Sequence, residues 1–277
     1  MKGVLYLVAT PIGNLSDISE RALEVLNLSD FVAAEDTRHT LKLLNHFDIK
    51  KPMISYFEHN KLARGEIILE RILNGETCAL VTDAGTPAIS DPGEDLVRQC
   101  AEADVSVIPV PGPCAFVQAL IVSGLPTGRF SFEGFLSVTK NSRREHLESI
   151  VKLPHTLIFY EAPHKLLTTL KDLLSALGNR KIAVVREITK IHEEVLRTDI
   201  ESALAHFEQT PPKGEFVLVV EGYTKTDDDE GQTISEEMII AKANELIEKG
   251  MSKKDAAKET AAFYNLPKNS VYKLLHS

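Results

Sequence analysis

Short apolar runs alternate with stretches of helical periodicity along most of the chain. In the first part, the apolar runs are 4–8, 31–34, 53–56, 78–81 and 105–110. Apolar residues at helical spacing follow each run and predict helices at 16–28, 40–47, 64–74, 93–103 and 114–123. Strands that are apolar on both faces and alternate with helices are typical of a parallel sheet covered by helices. The pattern therefore predicts an α/β fold, with Ser16 or Asp17 capping the first helix.

The pattern breaks at 123–128, where the sequence reads Ser-Gly-Leu-Pro-Thr-Gly. Because glycine and proline clusters mark loops, we predict a domain boundary there. Beyond it, the predicted strands are 130–136, 156–160, 181–186, 194–198 and 216–220, and the predicted helices are 143–151, 165–177 and 200–208. The chain is thus predicted to contain an N-terminal α/β domain at 1–123 and a second α/β domain at 124–224.

The last part of the chain has a different character. Residues 225–233 are acidic and contain a glycine, which predicts a linker. We expect a small helical tail at 234–277, with Ser235 as a helix cap and a capping box that begins at Ser252. Residues 251–277 carry five lysines, so this tail is locally basic and helix-turn-helix-like.

Composition excludes several classes of protein. The net charge of −9 argues against a wholly basic nucleic-acid binder, although a local basic patch is compatible with it. The three cysteines have no CxxC spacing, and no HExxH motif is present, so we expect no metal site. No apolar run is long enough to span a bilayer, and the N-terminal stretch lacks the features of a signal peptide. We therefore expect a cytoplasmic protein with no membrane association.

Candidate ligand-binding stretches follow four of the strands predicted in the first domain, and three of these stretches are rich in small residues, glycine and proline. The stretches are 10–14, 35–38, 82–93 and 111–115. In an open α/β sheet, ligands bind beyond the carboxyl ends of the strands, and such residues let the backbone approach a ligand closely. Each loop taken singly is also explained as an ordinary turn. No P-loop and no GxGxxG motif is present, so the predicted ligand site is not of either nucleotide-binding type.

The second domain adds charged residues at the ends of its strands. They lie in 159–165, 186–190 and 213–216. Charges that point into a crevice between the domains are the functional interpretation, and a solvated charged face is the alternative.

These stretches carry a resemblance. Val-Ala-Thr-Pro-Ile-Gly-Asn-Leu at 8–15, Ala-Glu-Asp-Thr-Arg at 34–38 and the loop at 83–93 are similar to the tetrapyrrole methylase superfamily, and within it to the enzymes that methylate small-subunit ribosomal RNA. The stretches 111–115, 160–165 and 186–190 agree, and the similarity covers nearly the whole chain. One departure is Cys114, where that family usually has serine, and this change is expected to cost one hydrogen bond to the ligand.

The resemblance implies two αβα domains that bind S-adenosylmethionine between them, in a homodimer. It also implies 2′-O-methylation of a cytidine ribose in the decoding region of 16S rRNA, in the small ribosomal subunit. Carried onto matching positions, the cofactor-binding residues are Pro11, Gly13, Asp83, Ala84, Gly85, Thr86, Ile89, Ser90, Gly112, Cys114, Ala115, Tyr160, Glu161, Ala162, Arg186, Gly214 and Glu215.

Methyl transfer to a ribose hydroxyl requires a proton acceptor and favours a nearby cation. We take Glu187 or Asp36 as the base and Lys190 as the group that stabilises the oxyanion. RNA must be held by local cations, and an aromatic or histidine platform suits an unstacked base. The candidates are Arg38, Tyr56, His59, Asn60, Lys140, Arg143, Arg144 and Lys165. For Tyr56 the alternative is that it ends a buried strand.

Two other functions stay open from the sequence. A tetrapyrrole-precursor methyltransferase would share the cofactor and the fold, but the helical tail and the Glu35–Arg38 stretch disfavour it. A non-enzymatic RNA-binding assembly factor that retains a cofactor pocket is the other alternative.

Overall fold

The computed structural model describes residues 2–224, 236–264, 266 and 268–275. The chain divides into two compact units at Tyr223 and Thr224. The predicted linker at 225–233 and the predicted cap Ser235 lie outside the described residues. None of the helices in the described part of the chain is long and apolar enough to cross a bilayer.

The first sheet is fully parallel and has five strands in the order β3-β2-β4-β1-β5. These strands are β1 (Val4–Val8), β2 (Phe31–Ala34), β3 (Met53–Ser55), β4 (Cys78–Val81) and β5 (Ser106–Val110). The helices that alternate with them are α1 (Glu20–Leu28), α2 (Thr37–His46), α3 (Lys61–Leu73), α4 (Gly93–Glu102) and α5 (Ala115–Val122). This arrangement confirms the predicted α/β fold of the first part.

Both faces of this sheet are buried, which explains why its strands have no polar alternation. One face packs under α3 and α4 through Leu5, Phe31 and Leu80, and the other packs under α1 and α2 through Val8, Val32 and Val81. The first helix starts later than predicted. Ser19 caps α1 by accepting a hydrogen bond from the Ala22 amide at 3.1 Å, whereas the predicted caps Ser16 and Asp17 lie in the short 3-10 helix Leu15–Asp17.

The second sheet is mixed, with the order β6-β7-β10-β8-β9. Its strands are β6 (Phe130–Phe135), β7 (Thr156–Glu161), β8 (Lys181–Arg186), β9 (Glu194–Asp199) and β10 (Phe216–Val220). The helices are α6 (Lys140–Ile150), α7 (Leu166–Leu177) and α8 (Ile200–Gln209). The central strand β10 runs antiparallel to both β7 and β8. The carboxyl ends of β7 and β8 and the start of β10 therefore meet at one edge.

One face of the second sheet packs under α6, α7 and α8, and the other packs against α5. Ala119 and Leu120 of α5 contact Ile158, Val185 and Val217 in that core. The helix α5 thus lies before the predicted boundary at 123 but packs on the sheet that follows this boundary.

The second unit contains three helices in its described residues: α9 (Glu236–Glu248), α10 (Lys253–Phe263) and α11 (Lys268–Leu274). Ile239, Ala257, Ala261 and Val271 form a small core between them. Ser252 caps α10 by accepting from the Asp255 amide at 3.2 Å, as the capping box predicts.

Candidate active site

A cavity of about 610 Å³ lies between the edges of the two sheets. The loops after β1, β2, β4 and β5 form one wall, and the ends of β6, β7 and β8 with the start of β10 form the other. The lining residues are Ile12, Glu35, Thr82, Asp83, Ala84, Gly85, Thr86, Ile89, Ser90, Asp91, Cys114, Ala115, Phe135, Tyr160, Glu161, Ala162, Pro163, His164, Val185, Glu187, Ile188, Lys190, Glu215, Phe216 and Val217.

The loop after β4 supplies much of the first wall and is tied to its neighbours. Thr10 and Gly85 exchange two backbone hydrogen bonds, at 2.9 and 3.1 Å. Gly85 has a φ of +88°, which favours glycine. The Thr86 hydroxyl donates to the Pro113 carbonyl at 2.9 Å. The loops after β1, β4 and β5 therefore form one connected surface.

Asp91 holds the far end of this loop. Its carboxylate accepts from the amides of Ala88, Ile89 and Gly93 at 3.0, 3.2 and 2.7 Å. Ala88 and Ser90 have φ values of +67° and +64°, a conformation that costs free energy for residues with a side chain. Burial raises the pKa of the Asp91 carboxyl despite these three donors. The loop thus keeps a strained path because one side chain satisfies its backbone.

Acidic side chains from two strand ends also meet at this wall. The Glu35 carboxylate accepts from the Thr82 hydroxyl at 2.7 Å, and the Asp83 carboxylate accepts from the Asp36 amide at 3.0 Å. Burial raises the pKa of the Asp83 carboxyl. These bonds fix the ends of β2 and β4 side by side.

Tyr160 and Glu161, at the end of β7, begin the second wall. The Tyr160 hydroxyl accepts from the Phe116 amide at 3.2 Å, and burial raises the pKa of this hydroxyl to about 12. The buried Glu161 carboxylate accepts from its neighbour Ala162 at 2.8 Å and from the Thr169 hydroxyl at 2.5 Å. Its position is therefore fixed by its own strand end and by α7.

Lys190 is the cation of the cavity wall. Its Nζ atom lies 2.9 Å from Glu187 Oε1 and 2.9 Å from Glu215 Oε2. Glu187 Oε1 also accepts from the Glu215 amide at 2.9 Å, while Oε2 has no hydrogen-bond partner among the described residues. Burial alone would raise the pKa of Glu187, but the hydrogen bonds from Lys190 and the Glu215 amide outweigh it and lower that pKa. Burial opposes charge on Lys190 as well, yet the two carboxylates raise its pKa.

Two glycines make room for this cluster. A Cβ atom on Gly13 would lie 2.3 Å from Lys190 Cγ, and one on Gly214 would lie 2.4 Å from Glu187 Cγ. Both contacts are shorter than packed side chains allow. Gly13 follows β1 of the first sheet and Lys190 follows β8 of the second, so their close contact joins the two walls.

The described lining is strongly acidic. It has six carboxylates, on Glu35, Asp83, Asp91, Glu161, Glu187 and Glu215, against the single ammonium of Lys190. Apolar side chains such as Ile12, Val185 and Val217 form the remaining surface. An acidic, partly apolar cavity of this size suits a cationic ligand with an apolar or aromatic part.

Comparison with known proteins assigns the chain to a family. The model for tetrapyrrole (corrin/porphyrin) methylases matches residues 4–204. This chain belongs to the tetrapyrrole methylase family. A protein from Synechocystis named ribosomal RNA small subunit methyltransferase I is 48% identical to it over 98% of this chain and 97% of its own length. A protein of the same name from Halalkalibacterium halodurans is 46% identical over 99% and 95%. The resemblance found in the sequence is thereby confirmed.

Solved structures support the fold. A uroporphyrin-III C-methyltransferase from Thermus thermophilus, solved with S-adenosylhomocysteine, has a TM-score of 0.55 at 20% identity and covers 78% of this methylase and 97% of its own chain. A diphthine synthase has a TM-score of 0.61 at 15% identity, over 83% and 94%. At these identities the similarity establishes the methylase fold alone.

The cavity gathers most of the predicted cofactor-binding residues. The exceptions are Pro11, Gly13, Gly112, Arg186 and Gly214, which do not line it. Gly13 and Gly214 make room for other residues, and a Cβ on Gly112 would lie 2.9 Å from the Cβ atom of Ala9, which follows β1. Arg186 donates to the Lys213 carbonyl at 2.7 Å and to Glu194 at 3.1 Å. Burial raises the pKa of the Cys114 thiol, which lines the cavity as a neutral group.

The predicted catalytic residues divide between the cavity and its surroundings. Glu187 and Lys190 line the cavity, and Asp36 does not. Asp36 caps α2 by accepting from the Arg38 amide at 2.8 Å, and it also binds the Arg38 side chain at 2.7 Å. These hydrogen bonds hold the pKa of Asp36 well below its usual range. Asp36 is therefore a helix cap with little tendency to accept a proton.

The structure corrects part of the predicted RNA-binding set. Tyr56 is 1% exposed and donates to the Pro92 carbonyl at 3.0 Å, so it cannot stack on an RNA base. Arg143 is mostly buried and binds Asp172 at 2.6 Å, which makes it a structural residue of α6 and α7. The Asn60 side chain bonds to the Phe57 amide and the Ser55 carbonyl and stabilises a turn. Arg38, His59, Lys140 and Arg144 are exposed, and Lys165 is half-buried, so these remain predictions.

Sequence reasoning missed eleven lining residues, which are Ile12, Glu35, Thr82, Asp91, Phe135, Pro163, His164, Val185, Ile188, Phe216 and Val217. Several of them stand inside the strand-end stretches that the sequence singled out, so their place in the chain was a usable signal. Phe135 carried no such signal, since an irregular strand brings it to the cavity.

Among the described residues, no group of three or more potential ligands could hold a metal ion.

Proposed function

We propose that this methylase transfers a methyl group from S-adenosylmethionine to the 2′-hydroxyl of a cytidine ribose in the decoding region of 16S rRNA, within the small ribosomal subunit. One observation carries the proposal. The similarity to proteins named ribosomal RNA small subunit methyltransferase I, at 42–48% identity, extends over 98–99% of the chain. The identity of the target nucleotide and of the methylated oxygen is inferred from the family resemblance of the sequence.

The cavity fits the cofactor in size and charge. Its volume of about 610 Å³ falls in the range of pockets that bury a small molecule. When bound, S-adenosylmethionine supplies an activated methyl group on a positively charged sulfur. The acidic lining complements that charge, and the apolar part of the wall complements a flat base. The residues that would hold it are those of the 82–91 loop, Cys114, Ala115 and the end of β7.

Lys190 stabilises negative charge where the ribose oxygen loses its proton. Its ammonium stays protonated because Glu187 and Glu215 raise its pKa. A fixed cation in a partly dehydrated site costs no reorganisation when the charge develops, which is the basis of its catalytic effect.

Glu187 is the better candidate base, because it lines the cavity and Asp36 does not. Oε1 is engaged by Lys190 and the Glu215 amide, and Oε2 is free among the described contacts to accept the proton. The lowered pKa of Glu187 keeps the carboxylate ionised but weakens it as a base. In this arrangement Glu187 also positions the Lys190 ammonium.

The homodimer belongs to this proposal. In α5, Val117 and Ile121 lie one helical turn apart and are both exposed, although the helix is apolar around most of its circumference. Phe130, which packs near Phe116 of the same helix, is exposed as well. A second copy of the chain that covers this surface would remove it from water.

The substrate is tested by labelled methyl transfer to three acceptors. The acceptors are small subunits from a strain that lacks this protein, naked 16S rRNA and a uroporphyrinogen. We expect transfer to the subunits, and nuclease digestion followed by mass spectrometry should recover 2′-O-methylcytidine. Label on the macrocycle, or on another position of the RNA, would contradict the proposed substrate. A protein that binds the subunits without transferring label would be a non-enzymatic factor.

The acidic lining also predicts selectivity by charge. S-adenosylmethionine, and sinefungin with its ammonium in place of the sulfonium, should bind at least about tenfold more tightly than the neutral product S-adenosylhomocysteine. Each partly solvated carboxylate about 8 Å from the added charge contributes roughly 0.5–2 kcal/mol. Isothermal titration of the three ligands at one ionic strength measures this ratio. Equal or tighter binding of S-adenosylhomocysteine would show that the carboxylates do not act on the sulfur position.

A further inference from the structure

Phe135 is an exposed aromatic residue at the cavity. It ends β6, lines the cavity and is 56% exposed. Its ring centroid lies 5.5 Å from that of Tyr160, with the two planes tilted by 60°. Tyr160 is held in turn by the Phe116 amide. One edge of the Phe135 ring is thus supported by the protein while much of its surface remains open to solvent.

An irregularity in β6 directs Phe135 to this place. Phe132 pairs with Ile158, but the register then shifts, so that Gly134 pairs with Phe159 and Phe135 with Tyr160. Ile158 and Tyr160 face the α5 side of the sheet, whereas Phe159 faces the opposite core. If Glu133 instead paired with Phe159 in a regular ladder, Phe135 would pair with Glu161 and lie on the opposite face of the sheet from Tyr160.

The bulge is anchored by its own side chains. Glu133, the additional residue, accepts from His146 of α6 at 2.7 Å and also bonds to the Ser131 hydroxyl. Gly134 has a φ of +63°, and a Cβ there would lie 3.7 Å from Ser90 Oγ in the loop after β4. The bulge is therefore a built feature that places an aromatic ring beside both walls.

A cytidine whose 2′-hydroxyl enters the cavity must leave the RNA stack. Its base then exposes a flat apolar face, which aromatic side chains cover in single-strand recognition. We propose that Phe135 is the platform on which the base of the substrate nucleotide stacks while its ribose faces Lys190. This inference rests on the proposed function and names a binding residue of the same site.

Nearby charges favour RNA over a protein partner for this ring. The segment that follows Phe135 leads into α6, where Lys140 and Arg144 are exposed. Arg144 forms only a long contact of 3.4 Å with Glu148, so both cations are available to phosphates on either side of a stacked base. A hydrophobic contact with another protein would not require these two cations.

The test compares Phe135→Leu with Phe135→Tyr. Small subunits from the deficient strain serve as substrate, and both steady-state methylation and direct subunit binding are measured. We expect the leucine variant to raise KM for subunits, and the Kd for subunits, by about tenfold, with little change in kcat at saturation. The tyrosine variant should restore values near those of the unmodified protein. Affinity for S-adenosylmethionine should stay within about twofold, since leucine keeps the wall apolar.

Phe263→Leu is the matched control, because Phe263 ends α10, is 67% exposed and does not line the cavity. It should leave KM unchanged. Unchanged KM and Kd in Phe135→Leu, or a loss that tyrosine does not restore, would overturn the inference. A shift from dimer to monomer in Phe135→Leu, seen by light scattering, would overturn it in favour of a subunit contact. If the unmodified protein methylates no subunits, the proposed function fails, and the binding measurement alone then decides whether Phe135 contacts RNA.

Discussion

Replacing Lys190 with methionine is expected to lower the single-turnover rate of methyl transfer by about 100-fold, the range seen when one stabilising group is removed from a developing oxyanion. Methionine keeps the aliphatic chain that packs against Gly13 but removes the ammonium that lies 2.9 Å from Glu187 and Glu215. The rate is measured with enzyme in excess over subunits and saturating cofactor, so that binding does not limit it.

Lys213→Met is the matched control, since Lys213 is an exposed lysine just before β10 that does not line the cavity. Its rate should equal that of the unmodified protein. Normal single-turnover kinetics in Lys190→Met would show that Lys190 takes no part in the chemical step. If the affinity for S-adenosylmethionine fell while the rate at saturation stayed normal, the lysine would hold the cofactor instead.

Replacing Asp91 with alanine is expected to lower the free energy of unfolding by about 3–5 kcal/mol and to weaken cofactor binding at least tenfold. The change leaves the amides of Ala88, Ile89 and Gly93 without their acceptor, and each lost charge-assisted hydrogen bond contributes about 1–3 kcal/mol. The loop between β4 and α4 then loses the contacts that hold Ala88 and Ser90 at positive φ. Denaturant titration and isothermal titration measure the two effects.

Glu94→Ala is the matched control, because Glu94 is a nearby exposed acid in the first turn of α4. It should lower the free energy of unfolding by less than about 0.5 kcal/mol. The free energy of unfolding of Asp91→Asn, which keeps one acceptor oxygen, should lie between those of these two variants. If Asp91→Ala retained full stability and affinity, the loop would owe its conformation to other contacts, such as the Thr10–Gly85 pairing.

The elements of the first sheet were predictable because burial on both faces makes each strand a continuous apolar run. The relative directions of the strands in the second sheet were not predictable. An apolar run such as Phe216–Val220 has the same pattern whether its strand pairs parallel or antiparallel. Long-range contacts explain the other errors. Tyr56 was a candidate base platform with a buried strand end as the alternative, and the structure supports the alternative, because its hydroxyl donates to the Pro92 carbonyl. Arg143 looks like a free cation, yet Asp172 of α7 binds it.

The site was predictable to the extent that strand ends could be located. The loops after β1, β4 and β5 form one wall because parallel neighbours place these strand ends together, and the end of β7 lies in the opposite wall. The role of a glycine there depends on its contacts, which the sequence does not show: Gly85 pairs with Thr10, whereas Gly13 makes room for Lys190, which follows a strand of the second sheet. The position of Phe135 at the cavity depends on one extra residue in β6, which the hydrophobic periodicity of the sequence does not reveal.

The position of β10 has a consequence for synthesis of the chain. It is the last strand of the α/β unit, yet it lies in the middle of its sheet, between β7 and β8. The first sheet has all five strands once residue 110 has been made, whereas β7 and β8 lack the strand that joins them until residue 220 emerges. Chain release or a stall between these points would leave Ile158, Val185 and their neighbours without their central partner, so the nascent second half is the part most exposed to aggregation and to chaperones.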